Sequence, residues 1–260
     1  MTPDWTPLEA ELAEWDAAGL TLDLWWRDDD AVADTAALER LTALSGALDT
    51  PVHLAVIPHL AQPSLARAVA AAPHLRPVVH GWAHFNHAPA SEKKSEFGTS
   101  RPLTDRIADA RAGLRRLGDL FGDRLRPVFV PPWNRIGADL PPELPALGFT
   151  ALSIHTPRHS ALAAPGLAQI NTHLDPVDWR GTRGLVAPDT LIAQIAAQLA
   201  DRRLGRADTG EPYGLLTHHL VHDADVWAFV EALLRHLLDG PVRPWTVDTL
   251  PDTTAKEPMP

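Results

Sequence analysis

Two histidines four positions apart, His80 and His84, end the run Val78-Val79-His80-Gly81-Trp82-Ala83-His84. Neutral imidazole nitrogens suit zinc and its neighbours, and on a helical turn side chains at i and i+4 share a face, so both can meet one cation. Two imidazoles make half a site and lack a carboxylate. The densest carboxylate cluster of the chain, Arg27-Asp28-Asp29-Asp30, also ends an apolar stretch, residues 22–26. The pattern predicts two strand ends facing one pocket. With no cysteine in 260 residues, thiolate ligation and a disulfide scaffold are excluded, and any metal falls to nitrogen and oxygen donors.

The elements that must hold these residues read as an alternation. A helix over 8–18 precedes a strand over 22–26, which places Asp28, Asp29 and Asp30 on a loop. Helix 34–48, strand 51–57, helix 64–72, strand 77–79, helix 103–120 and strand 128–130 follow, read from hydrophobic period and from Gly and Pro punctuation. A short helix over 142–147, strands over 149–154 and 167–172, helix 188–204, strand 213–216, helix 224–238 and an extended piece over 245–247 complete the chain. Such alternation implies parallel crossovers, and seven or so units without a linker favour a (β/α) barrel forming a single domain over residues 1–260.

Composition narrows the function classes. A chain 45% hydrophobic and 22% charged can bury a large core. Its formal charge of −10, with no basic block, repels a polyanion, so nucleic acid is not an expected partner. Residues 1–5 lack a basic start, and no window of about eighteen apolar residues exists, so neither a membrane partner nor export is expected and a cytoplasmic location is.

In a barrel, chemistry gathers at the strand C-termini. Five polar clusters follow five predicted strands: Asp28–Asp30, His80 with His84, Trp133-Asn134-Arg135, Asp175-Pro176-Val177-Asp178-Trp179, and Thr217-His218-His219. In these residues the chain resembles the polysaccharide deacetylase superfamily, carbohydrate esterase family 4. The resemblance implies a distorted (β/α)7-8 barrel. It assigns Asp29 as catalytic base and Asp30, His80 and His84 as ligands of a divalent metal, zinc being the favoured identity. It also assigns His218 as general acid, paired with Asp175 of an intact Asp-x-x-Asp-Trp motif ending in Trp179. Gly81 stands where the family usually has Ser or Thr, Ala31 where it has Gly, and Asp28 where it has an aromatic residue. The third motif departs further: Val130-Pro131-Pro132-Trp133 lacks the arginine that orients the catalytic aspartate, and Arg27 or Arg135 is expected to supply that charge.

Read this way, the metal activates water and polarises an acyl carbonyl, Asp29 takes the water's proton, an N–H near Trp133 holds the oxyanion and His218 protonates the leaving nitrogen. The expected function is removal of an acyl group from an N-acyl amino sugar or sugar-bearing intermediate. The partner is then a small-molecule or glycan substrate. Two alternatives remain open: hydrolysis of a non-sugar C–N bond on the same barrel, and a non-catalytic carbohydrate-binding barrel.

Each residue has a plainer reading. Consecutive aspartates after a strand also serve as a solvated turn or helix cap. Asp28 is an alternative ligand, His87 an alternative to His84, and His219 an alternative to His218. Of the nine tryptophans most should pack; Trp82, Trp133 and Trp179 lie within motifs and are candidates for sugar stacking, with Arg135 beside them. The charged loop over 88–101 reads as a mobile cover whose Lys93, Lys94 or Arg101 meets an anionic substrate group, or simply as a solvated excursion.

Overall fold

The computed structural model describes residues 3–250; residues 1 and 2 of the acidic start, with 251–260, lie outside the described residues. Helix α1 (Thr6–Ala17) leads into β1 (Leu22–Ala31), followed by α2 (Ala36–Ala47), β2 (Val52–Val56), α3 (Pro63–Ala71), β3 (Leu75–His80), α4 (Leu103–Phe121) and β4 (Val128–Val130). Then come α5 (Leu144–Leu147), β5 (Ala151–Leu152), β6 (Leu162–Ala164), β7 (Leu167–Gln169), α6 (Pro188–Arg203), β8 (Tyr213–Thr217), α7 (Ala224–Leu238) and β9 (Val242–Pro244). The strand order is β6-β7-β5-β4-β3-β2-β1-β8, with β9 added beside the start of β1. Every pairing is parallel except β6 with β7. Beyond β7 the chain bridges Leu174 to Leu215 of β8, with His173 N–H donating to the Gly214 carbonyl at 2.7 Å, and this short contact closes a distorted β/α barrel.

Strand alternation sorts β1 into two faces. Leu24 and Trp26 pack outward into the layer under the helices, whereas Trp25 joins Ala55, Val78, Val128, Val130, Ala151 and Ile170 inside the barrel. Trp25 also donates its indole N–H to the Asn171 carbonyl at 2.9 Å, so its polar edge is satisfied where the ring fills the interior. Two and four residues on, the same face of β1 carries Arg27 and Asp29.

Three expectations need correction. Strand β1 runs through the aspartates instead of stopping at Trp26, because buried partners on both faces satisfy Asp28 and Asp29. Strand β6 carried no strand signal in its short alanine-rich sequence; it pairs antiparallel with β7 across a turn at Gly166, φ +78°, and β7 is the start of the strand expected over 167–172. The last strand is Val242–Pro244, whereas Val247–Thr249 forms a 3-10 turn below the barrel interior.

Candidate active site

A register irregularity between Asp28 and Ala31 breaks the β1–β2 ladder, and Asp30 takes φ +76°, a costly backbone state for a residue with a side chain. This bend turns Asp30 toward the end of β3. Its Oδ1 lies 3.2 Å from His80 Nε2 and 3.3 Å from His84 Nε2, and one ligand atom from each residue falls within 4.8 Å of the others. Oδ1 is buried with no hydrogen-bond partner among the described residues. His80 Nδ1–H donates to the Val130 carbonyl at 3.0 Å, which leaves Nε2 as the lone-pair nitrogen facing Asp30. Burial, followed by the neighbouring His80, pushes the His84 imidazole below its ordinary pKa and favours the neutral, ligating form. Buried carboxylate oxygen and two directed imidazoles fit a divalent cation, and these residues could hold one.

The histidine pair is not on a helix. His80 ends β3, Gly81 at φ +57° turns the chain out of it, and His84 is itself at φ +57°. The turn is shaped by Glu96, a fully buried residue that the sequence reading left unassigned. Its carboxylate accepts from the N–H groups of Trp82 at 3.2 Å, Ala83 at 2.8 Å and Phe85 at 3.5 Å. A Cβ at position 81 would sit 2.4 Å from Glu96 Oε2 and 2.6 Å from Pro132 Cδ. Glycine at 81 therefore leaves the room that Glu96 occupies.

Asp29 is 2% exposed and is gripped from within its own strand. Arg27 donates Nε–H to Asp29 Oδ1 at 2.9 Å and Nη2–H to Oδ2 at 3.0 Å, a two-point fork. The same guanidinium, fully buried, donates to Ser153 Oγ and to Asn134 Oδ1, each at 2.6 Å. Arg135 points elsewhere, donating to the Lys94 carbonyl at 2.6 Å. Of the two candidate arginines, Arg27 is the one at Asp29. Asn134 reaches Arg27 from a strained turn in which Trp133 and Asn134 take φ +57° and +55°, and the Trp133 ring lies over His84 at 4.3 Å.

Across the cleft stands His218, at the end of β8. Its Nδ1 is 4.0 Å from Asp175 Oδ2, an ion-pair separation too long for a hydrogen bond, and that oxygen accepts the Trp179 indole N–H at 2.7 Å. The Trp179 ring meets His218 edge to face at 4.7 Å. His219 lies on the opposite side of β8, buried and bonded through Nδ1 to Asp28, which also accepts from Thr217 Oγ at 2.6 Å and His219 N at 3.0 Å. Burial opposes charge on both partners, yet their attraction prevails: Asp28 is held below and His219 above the ordinary pKa. Asp28 and His219 thus form a pair outside the Asp30, His80 and His84 cluster, and His87 is exposed beside Phe85.

The cleft, of about 600 Å³, is lined by Asp29, Asp30, His80, His84, Lys94, Trp133, Asn134, Arg135, His155, Asp175, Trp179, Arg180, Arg183, Leu216, His218 and Val221. His155, Arg180 and Arg183 are not marked as site residues by spacing or periodicity, and Asn134 is marked only as a member of the polar cluster that follows the fourth strand. Three expected contributors lie elsewhere. Trp82 packs on the core and on His59, Lys93 is exposed outside the lining, and Arg101 pairs with Asp109 at 2.7 Å. The loop over 88–101 is not a detached cover: Ser95, Glu96 and Phe97 are buried, and Phe97 bridges to Ile136.

No family model matches the sequence, and no curated protein matches it. Solved structures do. A family 4 carbohydrate esterase from Streptomyces lividans, in complex with acetate, superposes with a TM-score of 0.56 at 15% identity, over 87% of this chain and 93% of that one. The fold is that of the family 4 carbohydrate esterases. A polysaccharide deacetylase from Bacillus cereus gives 0.54 at 15% identity over 88% and 94% of the two chains. A mutant of a family 4 pseudoenzyme with restored enzymatic activity gives 0.54 at 12% over 86% and 65%. The family 4 fold is thus common to active enzymes and to a pseudoenzyme, and it leaves the chemistry to be argued from the cleft residues. No helix among the described residues is long and apolar enough to cross a membrane.

Proposed function

We propose that the chain is a divergent family 4 carbohydrate esterase, a metal-dependent hydrolase that removes an acyl group, acetyl in the simplest case, from an N-acyl amino sugar or sugar-bearing intermediate. The observation that carries this reading is one cleft joining two halves. On one side Asp30, His80 and His84 converge beside an Asp29 already gripped by Arg27; on the other stands His218. A solvated acidic turn would explain none of these partners.

Asp30, His80 and His84 would hold the cation, with zinc favoured by the two-imidazole, one-carboxylate set. When bound, it supplies Lewis acidity at the acyl carbonyl and acidifies water. Asp29 accepts the proton of the attacking water, and Arg27 fixes the direction of its carboxylate. The N–H groups of Asn134 and Arg135 are spent on the carbonyls of Pro131 and Pro132, which leaves the Trp133 N–H as the oxyanion donor. His218 gives a proton to the departing nitrogen, with the Asp175 carboxylate 4.0 Å from its Nδ1 as the counter-charge. Trp133 and Trp179 flank the acyl-sugar and exclude water.

Elemental analysis together with a panel of N-acetylated sugars tests the reading. Near-stoichiometric metal, lost in His80→Ala and His84→Ala, and release of acetate are the expected results. Unchanged metal content in both variants refutes the ligand assignment. Sugar binding without turnover by the metal-loaded protein makes the chain a non-catalytic carbohydrate-binding barrel.

A further inference from the structure

The mouth of the cleft is cationic in a chain whose formal charge is −10. Lys94, Arg135, Arg180 and Arg183 all line it, and among the described residues none of the four is ion-paired to a carboxylate. Other arginines of this chain find acidic partners, as Arg106 does with Asp139 at 2.6 Å and Arg203 with Glu11 at 2.7 Å. Leaving cations unpaired beside a concave site concentrates positive potential where an anion would enter, against the repulsion of the rest of the surface.

Two of the four are displayed by a tight, self-bonded turn. Asp178 accepts from the N–H groups of Gly181 at 2.9 Å and Thr182 at 3.0 Å, and Arg183 N–H returns to the Asp178 carbonyl at 2.9 Å. The turn therefore has a defined shape, and it holds Arg183 at φ +62°, a conformation that Gly or Asn adopts more cheaply. The Arg183 guanidinium lies 5.4 Å from the centre of the Trp179 ring, which fixes it at the cleft edge. On the opposite side Arg135 is tied to the Lys94 backbone.

Resting on the deacetylase reading of this cleft, we propose that its substrate carries an oxyanion, a phosphate or a carboxylate, bound by Arg180 and Arg183 while the N-acyl group lies at the metal ligands. Planar guanidinium donors match either oxyanion in two-point fashion, and partial exclusion of water strengthens the contact. A neutral glycan leaves these cations without partners.

The test is calorimetric titration of the purified full chain with N-acetylglucosamine, N-acetylglucosamine 6-phosphate and N-acetylmuramic acid. It is repeated in high salt and with the Arg180→Gln/Arg183→Gln double variant, whose exposed positions leave the barrel untouched. We expect one or both anionic sugars to bind at least about tenfold more tightly than the neutral one. That advantage should shrink in salt and fall below about threefold in the variant. The anion that gains more identifies the oxyanion. Equal affinities, undetectable binding of both anionic probes, or an advantage that survives the double substitution overturns the proposal. Binding is read without turnover, so a protein that prefers the anion yet releases no acetate refutes the deacetylase reading alone.

Discussion

Arg27→Met is the most informative perturbation of this barrel. It keeps an unbranched apolar stem, shorter than arginine by the guanidinium end, while removing every donor that Arg27 directs at Asp29, Ser153 and Asn134. Asp29, 2% exposed, then keeps a buried charge without its partner. Breaking one side of a buried ion pair costs about 3–5 kcal/mol, and at roughly 2–4 °C per kcal/mol for a chain of this size the melting point should fall by about 6–20 °C. Removing the stranded charge as well, in Arg27→Met/Asp29→Asn, should restore part of the loss, with a coupling of about 2 kcal/mol between the two positions. Arg27→Lys, which keeps the charge but not the fork, should fall between wild type and Arg27→Met. Urea titrations of wild type, the two single variants and the double variant measure the coupling. If the single effects add to within about 0.5 kcal/mol, Arg27 does not hold Asp29 and the account of the missing third-motif arginine fails.

His218→Ala should lower turnover about a hundredfold or more while the melting point barely moves. His219→Ala should instead destabilise the fold by about 3–5 kcal/mol by stranding Asp28, and the reverse pattern would show that the general acid is misplaced by one residue. Glu96→Gln should weaken metal affinity by about 10–100-fold, because a single amide oxygen cannot shape the histidine turn; unchanged metal retention refutes that role. His53 gives the pH dependence. Burial depresses its imidazole to about 4, although the Trp26 carbonyl bonded to it opposes the shift, and its Nε2 accepts the Val247 N–H at 3.2 Å. An unfolded chain takes up this proton from about pH 6.5 downward while the native one refuses it until about 4. The stability is therefore whole above 6.5 and declines by about 3 kcal/mol as pH falls to 4. In His53→Gln the acid limb of a stability profile should flatten by that amount, and an unchanged limb refutes the assignment.

What the sequence carries plainly is period and punctuation. Residues 128–130 and 224–238 agree with β4 and α7 at both ends, and the order of elements needed correction only for the added strand β6. Strand β1 was cut short because three aspartates resemble a turn; their partners, Thr217 and His219 on one face and Arg27 on the other, include residues almost two hundred positions away. The His-x-x-x-His spacing pointed to two histidines that do converge with Asp30, but for the wrong local reason, since a turn held by a carboxylate from position 96 replaces the helical one. Glu96 was hidden among the charges of a loop that reads as solvated. Arg180 and Arg183 could not be singled out either, as nothing in a sequence shows that an arginine has no acidic neighbour. Position 27 was a named candidate because it adjoins the aspartates, and the choice over 135 needed coordinates.

Placing Arg27 two residues before the Asp29 it grips has a consequence for how this barrel can vary. A guanidinium supplied by another strand ties the aim of the base to the registration of that strand and of every pairing between them. Here Asp29 and Arg27 share one strand, so their alignment is inherited from the pleat of a single backbone. The end of β4 carries no charged side chain, and Val130, Pro131 and Pro132 are all buried there, with the Val130 carbonyl accepting from His80. The turn that follows can vary in sequence so long as Asn134 still reaches the arginine and Trp133 still packs on His84. A barrel wired this way lets the aim of one carboxylate outlast changes in the strands around it.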